Sequence, residues 1–394
     1  MDAIHEERRI QDVLTRIKRE AGSHSPSVAT ILQALPEIKM EIDACFLSNP
    51  YATDLFLDYF RREVVATDRL RQAVEHYPSQ NATLARVVAP RLGVPAESIF
   101  LGNGATEIIQ AILHNFCEES LLLNLPTFSP YYEFVRPGTR VIYHTLRKEE
   151  AFQLDLDRYL RLIEETKPNT VVLINPNNPD GGYLPQAALH TLLAALRAVP
   201  NVIVDESFIH FAFETAAMAL PSCVAATQEY ANLIVVKSMS KDFGIAGLRI
   251  GYAVMAPARV QQLLGNGFLW NLSGFAEYFL ELWARDEFSE RYEVVRRRYI
   301  QEAQAFFQSL RQLPGIHVYP SLANYALLEL RNGMTAFAFV SQLLVRHGIY
   351  TRNCEDKKGL VGEFVRIGAR TAAENAMMIQ GIQALLGQSQ VDLA

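Results

Sequence analysis

The sequence predicts an α/β fold: a large domain with a mainly parallel sheet between helices, and a smaller α+β C-terminal domain. Three observations carry this. Short β-branched apolar runs alternate with stretches of helical apolar spacing through the first two thirds of the chain. Several of those runs stop at Pro, Asn or Asp, as buried strands of a parallel sheet do. After about residue 285 the pattern changes to a long charged helix followed by closely spaced strands.

Taken in order, Glu107–Phe116 has helical spacing, and Ser120–Asn124 and Arg140–His144 are short apolar runs. Thr170–Ile174, Val202–Val204 and Asn232–Lys237 read as buried strands. The long helix is expected around Arg291–Leu310, with strands at His317–Tyr319 and Tyr325–Leu330. This predicts an arm or helix over residues 1–45 that joins the small domain, a large domain over 46–285 and a small domain over 286–394. With 394 residues, 49% of them hydrophobic, the chain can bury two cores.

Composition narrows the function. A net charge of −6 leaves no electrostatic footprint for nucleic acid. Cys45, Cys117, Cys223 and Cys354 are too far apart in sequence for a zinc or redox motif and are expected reduced and buried, so no metal is expected. The start, MDAIHEERRI, is charged where a signal peptide is apolar, and no run reaches the length of a membrane helix. A soluble cytoplasmic protein is expected.

In open parallel sheets ligands bind beyond the carboxyl ends of the strands. After the first strand comes GNGATE (Gly102–Glu107), in which Glu107 stands where a dinucleotide fingerprint has its third glycine, and no Walker sequence occurs. A relaxed turn entering a helix still offers backbone N–H groups to a phosphate. The next strand ends carry PTFSPYYEF (Pro126–Phe134), NPNNPDGGY (Asn175–Tyr183) and VDESFIHF (Val204–Phe211). The last is VVKSMSKDFGIAGLRIGY (Val235–Tyr252), where Lys241 follows an apolar strand with Ser238 before it and Arg249 after it. A partly desolvated lysine amine forms a Schiff base with an aldehyde. Arginine, serine and helix N–H groups grip a phosphate. An aldehyde bearing a phosphate describes pyridoxal 5′-phosphate.

At these residues the chain resembles the fold-type-I pyridoxal-phosphate enzymes of the class I/II aminotransferase family, in the branch of histidinol-phosphate aminotransferase and threonine-phosphate decarboxylase. The resemblance spans residues ~45–370. It implies that Lys241 carries the cofactor as the internal aldimine and then moves the substrate proton. By the same resemblance Asp205 is expected to pair with the pyridine nitrogen and Asn178 to donate to the ring 3′-oxygen. Phe128, or alternatively Tyr131, is expected to stack on the ring. Ala105 and Thr106 match the positions whose N–H groups take the phosphate, beside Ser238 and Arg249. SNPYAT (Ser48–Thr53) matches the segment whose tyrosine, Tyr51, reaches the phosphate of a neighbouring subunit, which implies a homodimer. EFVRIGAR (Glu363–Arg370) matches the strand whose arginine clamps the substrate carboxylate: Arg366, with Arg370 as its competitor. Asn324, in LANYALL, falls near the substrate by the same resemblance. Phe56, Phe60, Tyr131 and Tyr132 are candidates for an aromatic substrate pocket.

Many aminotransferases place tyrosine three residues after the aspartate, where this chain has Phe208. Transamination between an amino acid, or an amino-acid-like phosphate ester, and a 2-oxo acid is the expected activity. The alternative is decarboxylation of a phosphorylated amino acid, which the phenylalanine matches better. A non-catalytic regulator is a remote third reading, because the first 45 residues supply no basic DNA-binding module.

Overall fold

Alternate residues of each central strand pack into two different cores, so both faces of one sheet are covered. In the strand after Asn232, Leu233 and Val235 join one cluster while Ile234 and Val236 join the other. Leu122 and Leu121, or Val202 and Ile203, divide in the same way. Each such side chain contributes about 1.5–3 kcal/mol by leaving water. The structure is a computed structural model that describes residues 2–22, 24–268 and 270–391.

In chain order, the elements that frame the site begin with helix α1 (Asp2–Ala21), strand β1 (Ile42–Asp43), helix α2 (Pro50–Phe60), strand β2 (Ile99–Gly102) and helix α3 (Ala105–Phe116). Strands β3 (Ser120–Leu125), β4 (Arg140–Thr145), β5 (Thr170–Ile174), β6 (Asn201–Asp205), β7 (Leu233–Ser238) and β8 (Gly251–Val254) come next. The C-terminal part holds α4 (Asp286–Leu310), β9 (Ile316–Val318), β10 (Tyr325–Leu330), α5 (Ala336–His347), β11 (Ile349–Tyr350), β12 (Arg352–Asn353), β13 (Phe364–Gly368) and α6 (Ala372–Val391). Every strand and helix expected from the pattern is present within a few residues of its expected ends.

The chain divides into two compact units. One comprises Ser48–Asn178 and Gly182–Ile300 and holds a seven-stranded sheet of order β2-β8-β7-β6-β5-β3-β4. Five of its strands, β7-β6-β5-β3-β4, pair in parallel, and β8 runs antiparallel to both of its neighbours. The expected mainly parallel sheet between helices is therefore what forms.

The other unit comprises the residues up to Leu47, Pro179–Gly181 and the chain from Gln301 onward. Its antiparallel sheet has the order β12-β13-β10-β9, and β1 pairs with β11 in parallel. Helix α1 places Ile10, Leu14 and Ile17 on one stripe, which packs with Ile31, Leu35, Leu344 and Tyr350. The division falls between Ile300 and Gln301, inside α4, and not near residue 285. A continuous amphipathic helix shows no break in composition there, which is why the pattern alone put the boundary at the helix's start. No helix among the described residues is long and apolar enough to cross a membrane. All four cysteines are free and buried.

Candidate active site

Asp205 is the last residue of β6 and is 2% exposed. Its Oδ2 accepts the Tyr131 hydroxyl at 2.9 Å and its Oδ1 accepts the Ser207 N–H at 2.8 Å. Burial raises the carboxyl pKa, and the hydrogen bonds from Ser207 and Tyr131, with the charge of Lys237, act in the opposite direction. A carboxylate held in this way gains from a cation placed against it, as a protonated ring nitrogen is.

Ser207 links this carboxylate to the next strand. Its hydroxyl accepts the Ser238 N–H at 3.2 Å, at the end of β7. Ser238 is buried, and its Oγ accepts the Ser240 N–H at 3.3 Å, which starts the loop that carries Lys241. Half-buried Lys241 is fixed through its carbonyl, which accepts the N–H of Asn49 at 2.9 Å and of Gly244 at 3.3 Å.

The loop returns into β8 so that Ser238 pairs with Gly251. Arg249, two residues earlier, has φ +56° and donates to the Ala246 carbonyl at 3.1 Å. Two glycines let this segment meet the start of α3. A Cβ on Gly251 would lie 2.9 Å from the Ala105 nitrogen and 2.8 Å from the Lys237 carbonyl oxygen. A Cβ on Gly104, whose φ is +82°, would lie 2.5 Å from Arg249 Nη2. The guanidinium of Arg249 therefore sits against the first turn of α3, whose amides have no partners within the helix. Thr106, the next residue of that turn, is exposed. Glu107 accepts the Asn103 N–H at 2.6 Å and the Asn271 amide at 2.9 Å, so the residue that breaks the dinucleotide fingerprint steadies the turn.

Asn178 is buried in the turn after β5, and its neighbour Asn177 donates to the Pro126 carbonyl at 3.0 Å, tying two strand-end loops together. Tyr131 is fully buried with its hydroxyl committed to Asp205, while Phe128 is half-buried. Phe208 is 5% exposed. Phe56 and Phe60 pack against one another and against Tyr278, as core residues do. Tyr51 stands in the first turn of α2, capped by Asn49; its hydroxyl accepts Arg298 Nη2 at 3.1 Å, and the Arg298 guanidinium lies 4.1 Å over its ring.

In the other unit, Arg366 lies in the middle of β13, opposite Leu327 of β10 and Arg352 of β12. It donates to the Cys45 carbonyl at 2.9 Å, and its guanidinium lies 5.3 Å from the Tyr325 ring centre. Arg352 is 4% exposed and meets Asp356 at 2.6 Å, where Lys18 also donates at 2.9 Å. Arg370 pairs with Glu374 at 3.4 Å at the start of α6. Asn324 is completely buried and donates to the Leu47 carbonyl at 3.2 Å, while its own carbonyl accepts the Ala369 N–H at 2.9 Å.

One linked group thus contains Ala105, Asp205, Ser238, Lys241 and Arg249 within the large unit, and Arg366 and Asn324 belong to the small one. Sequence reasoning did not find the Tyr131–Asp205 bond, the Ser207 bridge or the buried pair of Lys237 and Asp242. Two charges flanking Lys241 in an otherwise apolar run were the available signal for that pair.

Residues 66–384 match the model of the aminotransferase class I and II family, and the chain belongs to that family. It is 48% identical over 376 residues to an L-serine phosphate decarboxylase of Campylobacter jejuni, covering 95% of this chain and 96% of the relative. It is 46% identical over 374 residues to an L-serine phosphate decarboxylase of Sulfurospirillum multivorans, covering 95% of each. A solved decarboxylase structure from Sulfurospirillum multivorans superposes with a TM-score of 0.93 at 45% identity over 97% of both chains. The fold is that of the fold-type-I pyridoxal-phosphate enzymes, and pyridoxal 5′-phosphate is the cofactor. The residues fit it: a buried carboxylate, a lysine on a fixed loop, and a helix start that two glycines bring against an arginine. These relatives correct one expectation. Proteins sharing nearly half their residues along the whole chain are decarboxylases, which overturns the reading of an aminotransferase with a 2-oxo acid substrate.

Proposed function

We propose that the protein is a pyridoxal-phosphate-dependent decarboxylase of a phosphorylated amino acid, with L-serine phosphate as substrate. The observation that carries this is the 46–48% identity, over 95% of the chain, to proteins of that activity. Phe208 agrees with it, and the planar guanidinium of Arg366 suits a phosphate, while Arg352 opposite it is taken up by Asp356.

When bound, the cofactor supplies a conjugated cationic ring that accepts the electron pair of a breaking bond at the substrate α-carbon. Asp205 would pair with the ring nitrogen and keep its proton in place. Phe128 would cover the ring face, and Asn178 would donate to the ring oxygen. Ala105, Thr106, Ser238 and Arg249 would hold the cofactor phosphate. Lys241 would hold the cofactor through its amine and would supply the proton that the substrate α-carbon takes up in place of CO2. Arg366 would take the substrate phosphate, which would leave the substrate carboxylate unclamped and free to depart as CO2. Asn324 braces the strand end beside Arg366.

The same reading includes a homodimer in which Tyr51 reaches the neighbouring phosphate. An exposed aromatic pair on the large unit supports it: the rings of Tyr77 and Trp270 have centres 5.7 Å apart. The four free cysteines suit a reducing compartment, and we place the protein in the cytoplasm. Purified protein supplied with cofactor and L-serine phosphate is expected to release CO2 and leave 2-aminoethyl phosphate. Accumulation of a pyridoxamine-form absorbance with a 2-oxo acid, without CO2, would reject the proposal.

A further inference from the structure

Lys237 and Asp242 bracket the segment that carries Lys241, and both side chains are buried, at 1% and 0% exposure. Lys237 Nζ donates to Asp242 Oδ1 at 2.9 Å, to the Ser238 carbonyl at 2.6 Å and to the Ser207 carbonyl at 3.4 Å. One ammonium thus holds the residue after Lys241, the carbonyl of the phosphate-gripping serine, and the serine whose N–H holds Asp205. His210 Nδ1 lies 3.0 Å from Asp242 Oδ2, but its hydrogen bond runs to the Tyr292 hydroxyl at 2.8 Å. Burial, with the charges of Lys237 and Arg296, pushes the His210 pKa well down, so the ring is neutral and Lys237 is the cationic partner of Asp242. Burial raises the pKa of Asp242, against the pull of Lys237.

Replacing a buried ion pair by apolar residues is often neutral or stabilising, so stability alone does not account for two charges here. We propose that Lys237 and Asp242 are a positioning pair that sets where the Lys241 amine stands relative to Ser238 and Asp205, and so governs how readily the lysine links to the cofactor. This rests on Lys241 being the cofactor lysine.

The test compares the wild-type chain with Lys237→Met/Asp242→Leu and with Lys237→Arg. Each apoprotein is titrated with pyridoxal phosphate while the absorbance of the lysine-linked form is followed against pH, and the borohydride-reduced product is mapped by peptide mass. The double variant is expected to melt within a few degrees of the wild-type apoprotein, yet to form the Lys241-linked species with an apparent affinity weaker by on the order of 10²-fold, the effect of a small misplacement. The Lys237→Arg variant, which keeps a cation against Asp242, is expected to retain most of the wild-type affinity. A folded double variant with wild-type affinity and pH profile overturns the proposal. If the double variant does not melt cooperatively, the isosteric Asp242→Asn variant decides: weakened linkage supports the pair's role, and unchanged linkage overturns it. A wild-type label on a lysine other than Lys241 overturns the reading of the site itself, and this proposal with it, so the two failures are distinct.

Discussion

The hydroxyl of Tyr131 meets the carboxylate of Asp205 at 2.9 Å, joining two side chains far apart in sequence and almost wholly out of water. Because the acceptor is charged, this bond contributes about 1.5–3 kcal/mol to whichever state keeps the carboxylate ionised. A Tyr131→Phe variant therefore raises the Asp205 pKa further and weakens its hold on a ring nitrogen. Titration of the apoprotein with cofactor is expected to show affinity reduced roughly tenfold, with the melting temperature lowered by a few degrees.

Gly251 has no room for a methyl group: its Cβ would meet two backbone atoms, the Ala105 nitrogen and the Lys237 carbonyl oxygen. In a Gly251→Ala variant α3 and β7 must move apart, which costs about 1–3 kcal/mol of stability. Cofactor affinity is expected to fall on the order of 10²-fold as Ala105 and Ser238 separate. Equilibrium dialysis of the folded variant measures this.

The two C-terminal arginines separate by kinetics. Lysine in place of Arg366 keeps a charge but loses the planar fork, so KM for L-serine phosphate is expected to rise roughly 10–100-fold. Arg370 is engaged with Glu374 at the start of α6. Arg370→Ala is expected to leave KM unchanged and to lower stability by about 1 kcal/mol or less. Steady-state kinetics and a thermal melt on both variants check the distinction.

Lys357 is 8% exposed, and burial, followed by the charge of Arg352, lowers its pKa to about 8. The unfolded chain has this group near 10.4. Between those values the unfolded state binds more protons, so stability rises with pH; below both, the lysine is charged in either state and the penalty is complete. A Lys357→Met variant is expected to be more stable than the wild type at neutral pH by roughly 2 kcal/mol, with the gain fading as pH climbs from about 8 to about 10.4. Denaturation by urea at several pH values tracks the change.

The strand ends were legible in the sequence because burial on both faces leaves an unmistakable apolar run, and the residues just past such a run must form a turn. Asp205, Lys241 and Arg249 were visible for that reason. Tyr131 was not placed, because its bond to Asp205 depends on how the loop after β3 folds over the end of β6. Arg366 and Arg370 stood as alternatives in the sequence, and the engagement of the second by Glu374 of α6 was not visible there. Which bond of the substrate breaks was not legible either: it turns on the orientation of the substrate's carboxylate, while the residues that carry the cofactor serve both chemistries alike.

The reversal of β8 has a consequence for how much this protein can vary. Ser238 and Gly251 pair across the connection that carries both Lys241 and Arg249, so the amine and the guanidinium belong to one excursion of the chain anchored at both ends. A residue added or deleted within it would have to be absorbed around Gly244, which lies tight against Asn49 and Thr53. Natural length variation should spare this segment, and drift should instead collect in the loops that join the parallel strands.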